Sequence, residues 1–205
     1  LERQCAVLAG LPDVAVLGSV AEMIDGAGMP CGLVGAPLAP AELRAALPGG
    51  NVIVHSSVLI RRAAVQEAGG YRTAFTGCED YDLWLRLAEH HDLMILPDVL
   101  LRYRRHAGQV SEHDIGARNL AVALARRGAT ARRSGQPDPA DGVARIDRAL
   151  LRRIGLDDSA IAQIMAGETD DAVSSRPAAL PAGRALTRPL RRFVRPLARA
   201  ALRRL

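Results

Sequence analysis

The chain has 205 residues, 49% of them apolar, with a formal net charge of +5, which is enough apolar material for one main domain with an appended region. No apolar run approaches the roughly 18 residues of a membrane span and no basic leader precedes a short apolar segment, so neither a transmembrane helix nor a secretory signal is legible and a cytoplasmic setting is expected. The three cysteines, Cys5, Cys31 and Cys78, are odd in number and far from any Cys-x-x-Cys spacing, which argues against a disulfide framework and a zinc module.

All 27 basic residues are arginine, and nine of them lie in residues 176–205 without a single acid, leaving 18 arginines against all 22 acids in residues 1–175. The body is therefore acidic and the tail strongly basic. Leu1 opens directly into a helical pattern with no capping residue ahead of it, which reads as a truncated front.

In chain order, residues 1–11 place Leu1, Cys5 and Leu8 on one helical face, and Leu11, Pro12 and Asp13 end that helix before an apolar strand over 14–17. Residues 25–28 are a turn signal. The four prolines of 29–48 predict a surface stretch leading to a short helix at 41–47. Residues 51–60 read as a strand, with Val52, Val54, Val58 and Ile60 on one face. A short helix ends at Gly69 and Gly70, a second helix starts at Glu79, and residues 93–96 and 99–103 read as strands split by Pro97. Beyond Ser111 the pattern turns helical at 114–133 and 141–166, then gives a linker at 167–182 and a basic amphipathic tail at 183–205. Helices and strands are mixed, as in α/β folds.

The helix that begins at Glu79 holds the chemistry. At about 100° per residue from Glu79, Leu83, Trp84, Leu87 and Ala88 fall near 40°, 140°, 80° and 180°, and Asp80, near 100°, sits in the middle of that apolar stripe. Asp82, Arg86 and Glu89 fall near 300°, 340° and 280°, a charged face that reads as solvated and contains an i,i+4 pair. An ionised carboxylate on an apolar stripe needs a wet cleft or a partner. The bland alternative is that acids are common in a helix's first turn, where they complement the dipole.

Four blocks, taken together, carry a resemblance: residues 51–62, from Asn51 through His55 and Ser57 to Arg61-Arg62; Gly69-Gly70-Tyr71-Arg72; Glu79-Asp80-Tyr81-Asp82-Leu83-Trp84-Leu85-Arg86; and Tyr103-Arg104-Arg105-His106. In this order they resemble the second half of family 2 glycosyltransferases, over about residues 1–112. The resemblance implies a partial GT-A (Rossmann-like) domain, the acceptor side of an inverting enzyme that moves a sugar from a nucleotide-diphosphate donor to a glycan, lipid-linked or other hydroxyl acceptor, as in cell-envelope or polysaccharide synthesis. Beyond it, the helical pattern itself gives a helical extension at 113–166. It also implies Asp80 as general base, Glu79 as the residue orienting the acceptor, and Gly69 and Gly70 as a glycine loop near the sugar. His55, Arg104 and Arg105 would bind substrate, and His106 would stand near a Mn²⁺ or Mg²⁺ ion and the diphosphate. Gly69 and Gly70 read equally well as a helix C-cap, His106 as a surface residue, His55 as an interior hydrogen-bonded residue and the arginines as a solvated edge.

The metal-binding Asp-x-Asp motif and the nucleotide-holding units of the family's front half are not found here, and electrostatic stabilisation of the departing charge is usually the largest catalytic effect. The chain alone is therefore expected to be inactive. Leu186, Leu190, Leu197, Ala201 and Leu205 recur among arginines in the tail, a pattern that suits an anionic membrane surface on the inner face or, equally, a solvated tail broken by Pro189 and Pro196. Two rivals remain: a non-catalytic GT-A relic, and an arginine-driven nucleic-acid binder. With so few aromatics and none interleaved with the arginines, no nucleic acid is expected.

Overall fold

A strand with neighbours on both edges and packing on both faces needs an unbroken apolar run. Val14–Ala21 comes close to one, interrupted only by Ser19 and buried at every position. In the computed structural model, which describes residues 1–105, 114–168 and the backbone of 179–180, this run is the first part of β1 (Val14–Ile24). One edge of β1 pairs in parallel along its whole length with β4 (Asp92–Arg104). The other edge is shared between two short antiparallel partners. Val16 and Leu17 face β3 (Leu59–Ile60), and Ala21 to Ile24 face β2 (Pro30–Val34). β5 (Ala179–Leu180) continues the sheet beyond β2.

Alternation along the strands sends side chains to two cores. On one face Leu17, Met94 and Leu96 pack with Val7 and Leu8 of α1 (Glu2–Ala9). On the other, Ala15, Val16, Leu93 and Ile95 pack with Leu43 of α2 (Pro40–Ala46), Ala64 of α3 (Arg62–Glu67), most of α4 (Glu79–Leu87) and the inner face of α5 (Ile115–Arg133). α6 (Arg148–Arg153) and α7 (Asp158–Ala166) form a further small core with Leu120 and Ala123 of α5. The architecture is mixed α/β with a mixed sheet and several helices, consistent with a partial GT-A-like domain.

Several expectations need correction. The strand read at 51–60 is only Leu59–Ile60. His55–Ser57 closes instead into a 3₁₀ turn, because Ser57 Oγ donates to the Val54 carbonyl at 2.8 Å and Gln4 Nε2 of α1 donates to the Ser57 carbonyl at 2.6 Å. The strand read at 14–17 runs on to Ile24, and part of the stretch expected to wander forms β2, so residues 25–28 are the turn of a hairpin. Pro97 does not split a strand. It falls in an irregularity where Ser19 faces Leu96 and Val20 faces Val99, so its missing N–H disturbs no regular pairing. The helix read at 141–166 is two helices, broken where Gly155 takes a φ of +93° and Asp157 caps α7 by accepting from the Ala160 N–H at 2.8 Å. The expected linker contains β5, and the basic tail lies outside the described residues.

The largest change concerns the charged face of α4. Asp82 is 1% exposed. α5 covers this side: Arg126 Nε donates to the Tyr81 hydroxyl at 3.2 Å, and Arg132 Nε donates to Glu89 Oε1 at 2.8 Å. A helical wheel cannot see a second neighbour, so a charged stripe buried by ion pairing reads as a solvated one.

Candidate functional site

α4 begins after a tight approach. Thr73–Phe75 forms a 3₁₀ turn, Gly77 takes a φ of +79°, and the N-cap position is Cys78, which offers no side-chain cap. Glu79, Asp80 and Asp82 in the first turn complement the helix dipole in its place. Among them Asp80 is partly exposed, at the mouth of the helix, and Asp82 is buried.

The Asp80 carboxylate is held at both oxygens. Asn51 Nδ2 donates to Oδ2 at 2.9 Å, and the Tyr81 backbone N–H donates to Oδ1 at 2.7 Å. Asn51 is itself fixed, 2% exposed, with its Oδ1 accepting from the Ile53 N–H at 3.1 Å. Burial pushes the Asp80 carboxyl above its ordinary range and the neighbouring Glu79 charge adds to this, while His55 and the two hydrogen bonds oppose it. The outcome is a partly exposed carboxylate with enhanced proton affinity.

His55 and Tyr71 border the same place. His55 Nε2 lies 3.1 Å from the Tyr71 hydroxyl, and the imidazole stands edge-on to Trp84, with ring centroids 5.7 Å apart. Tyr71 is 43% exposed, and burial of the remainder together with the Asp80 and Glu79 charges raises its phenol pKa. Trp84 is fully buried, and its Nε1 has no hydrogen-bond partner among the described residues; one Glu79 carboxylate oxygen, Oε2, is likewise buried without one. Asn51 and Tyr71 stood in the sequence blocks without a role. Only their spatial convergence on Asp80 singles them out.

The remaining predicted residues divide. Gly69 and Gly70 take φ of +79° and +73°, and their N–H groups bond to the carbonyls of Gln66 and Val65 at 3.0 and 2.8 Å, which is a Schellman C-cap on α3. The turn delivers Tyr71 directly to His55. Arg104 donates to the carbonyls of Asp25 and Gly26 at 3.1 and 2.9 Å, which puts it at the β1–β2 turn, and the Arg105 N–H extends the ladder to the Ile24 carbonyl at 2.8 Å. His106 lies outside the described residues.

Behind the site, Asp82 accepts from Arg72 Nε at 3.0 Å and from Arg86 Nη2 at 2.8 Å, and Arg72 also sits 4.6 Å over the Phe75 ring. Asp80 and Asp82 spell Asp-x-Asp, yet two residues apart on a helix they diverge by about 200°. The buried guanidinium partners of Asp82 keep it away from the mouth, so this pair cannot grip one ion. Among the described residues no group of three or more His, Cys, Asp or Glu side chains could hold a metal. The described residues do not fit a Mn²⁺ or Mg²⁺ site. Among the described residues no helix is long and apolar enough to cross a membrane.

No curated protein and no solved structure matches the chain. Residues 51–132 match the model of a family described as glycosyltransferase like family 2, and that span contains Asn51, His55, Tyr71, Glu79, Asp80 and Trp84. The segment that builds the Asp80 site is therefore the part of the chain that is similar to glycosyltransferase-like family 2.

Proposed function

We propose that this chain supplies the acceptor-activating part of an inverting glycosyltransferase, with Asp80 as the general base. The observation that carries the reading is the Asp80 carboxylate itself: partly exposed at the start of α4, aimed by Asn51, raised in proton affinity by burial, and inside the family-matched segment. An acceptor hydroxyl is a weak nucleophile. As its oxygen bonds to the anomeric carbon, its proton passes to Asp80, the bond from that carbon to the diphosphate oxygen breaks, and the electron pair leaves with the nucleotide diphosphate. Positioned proton transfer of this kind contributes roughly 10² to 10⁴ in rate.

Glu79 orients the acceptor beside Asp80, and His55 contributes to its binding. Gly69 and Gly70 act through the turn they form, and Arg104, Arg105 and His106 belong to the donor side. A divalent cation, with its carboxylate ligands outside these residues, would neutralise the departing diphosphate. A basic tail at 183–205 suits an enzyme working at the inner face of a membrane on lipid-linked or envelope glycans.

The test is transfer by the protein that carries this chain, with Asp80→Asn. Loss of turnover with donor affinity retained is expected, and turnover like that of the wild type would remove Asp80 from the role. A fold that binds no nucleotide sugar in any form would favour the relic.

A further inference from the structure

The chemistry proposed for Asp80 leaves a buried ion cluster on the far side of α4 unused. Its centre, Asp138, comes from the segment between α5 and α6, beyond the family-matched residues, and its side chain is 3% exposed. Asp138 Oδ1 accepts from the Ala140 N–H at 2.8 Å, while Oδ2 accepts from Arg72 Nη1 at 2.9 Å and also from Arg132 Nη1. Burial pushes this carboxyl up, but the Ala140 amide and the two guanidiniums outweigh it and hold it below the ordinary range, so it stays ionised. The helix beside it is shaped to admit it. A Cβ on Gly128, in the middle of α5, would come within 2.6 Å of Asp138 Oδ1.

The two arginines lead to opposite ends of α4. Arg72 reaches Asp82 in the first turn and directly follows Tyr71, the partner of His55. Arg132 reaches Glu89, just past the last turn. We infer that Asp138 is a positioning residue for the Asp80 site: one carboxylate shared between Arg72 and Arg132 fastens α4 and the Tyr71 turn to the helical extension. The catalytic consequence rests on the reading proposed above for Asp80; the coupling itself does not. Without the carboxylate, two largely buried guanidiniums face each other with one counter-charge fewer, and the Nη1 of Arg72, still tied to Asp82 through Nε, keeps only the exposed Asp141 at 3.6 Å, so the Tyr71 turn is held less firmly.

Trp84 is the chain's one tryptophan and lies edge-on to His55, so its fluorescence reports on the site whether or not transfer is measured. The experiment compares wild type, His55→Gln, Asp138→Asn, Gly128→Ala and Asp141→Asn, each well below its own thermal midpoint. The difference between wild type and His55→Gln defines the His55-dependent signal. It is expected to fall at least about twofold in Asp138→Asn and in Gly128→Ala, which displaces the carboxylate without changing any charge, and to persist in Asp141→Asn. A full His55-dependent signal in folded Asp138→Asn, even with a lowered thermal midpoint, would overturn the inference, and if that variant does not fold, Gly128→Ala decides in the same way. In the transferase assay Asp138→Asn should lower kcat about tenfold with donor KM unchanged. If Asp80→Asn turns over like wild type, the catalytic reading fails and the Trp84 signal alone decides on Asp138.

Discussion

Asn51 Nδ2 donates to Asp80 Oδ2 at 2.9 Å across 29 residues of chain, joining the first residue of the family-matched segment to its candidate base. The amide serves the fold and the site together, because its Oδ1 accepts from the Ile53 N–H. Asn51→Ala should therefore lower stability by about 1–3 kcal/mol, the cost of a buried backbone donor left unpaired, and should lower transfer by freeing Asp80. Urea unfolding measures the first effect and turnover the second. A variant with both intact would show that Asn51 holds nothing in place.

Asp80 links activity and stability to pH in opposite directions. Its carboxyl is raised in the fold above its ordinary value, so between those two values the folded chain binds more protons than the unfolded chain, and ionised Asp80 costs stability as pH rises through that window. Asp80→Asn should match wild-type stability below the window and exceed it at neutral pH, while transfer by the wild type should fall as pH drops through the raised value. Thermal midpoints collected across acid and neutral pH check the sign. Equal midpoints for the two proteins at neutral pH would contradict it.

Asp82 carries the opposite expectation from its neighbour two residues earlier. Its carboxylate is 1% exposed between Arg72 and Arg86, so Asp82→Ala leaves buried Arg86 without its carboxylate partner and Arg72 with one counter-ion fewer, and should cost about 3–5 kcal/mol. Denaturant midpoints for Asp82→Ala and Asp80→Asn should move to opposite sides of wild type.

The thiols provide a check on burial at the start of α4. Cys5 and Cys31 are exposed, whereas Cys78 is buried and its thiol is pushed well up, by burial first and then by the Asp80, Asp82 and Glu79 charges. A thiol reagent at mild pH should modify Cys5 and Cys31 quickly and Cys78 only on unfolding. Rapid modification of Cys78 in the native state would mean that the α4 N-terminus opens readily.

The sequence by itself determined the features whose causes are local. An apolar stripe at helical spacing placed α4 and put Asp80 at its centre, the turn residues at 25–28 marked the hairpin bend, and paired glycines at 69–70 ended α3, since periodicity, left-handed backbone and capping act over a few residues. The polar triplet at 55–57 misled because alternating apolar residues suggest a strand, whereas a 3₁₀ turn is decided by Gln4 and Ser57 reaching across the chain. Only the tertiary structure decided that the charged face of α4 is interior, that Asn51 aims Asp80, and that Tyr71, His55 and Trp84 meet. Those relationships join residues far apart in the chain, and a buried carboxylate is affordable only where guanidiniums from other segments converge on it. No pattern within α4 records which arginines will arrive.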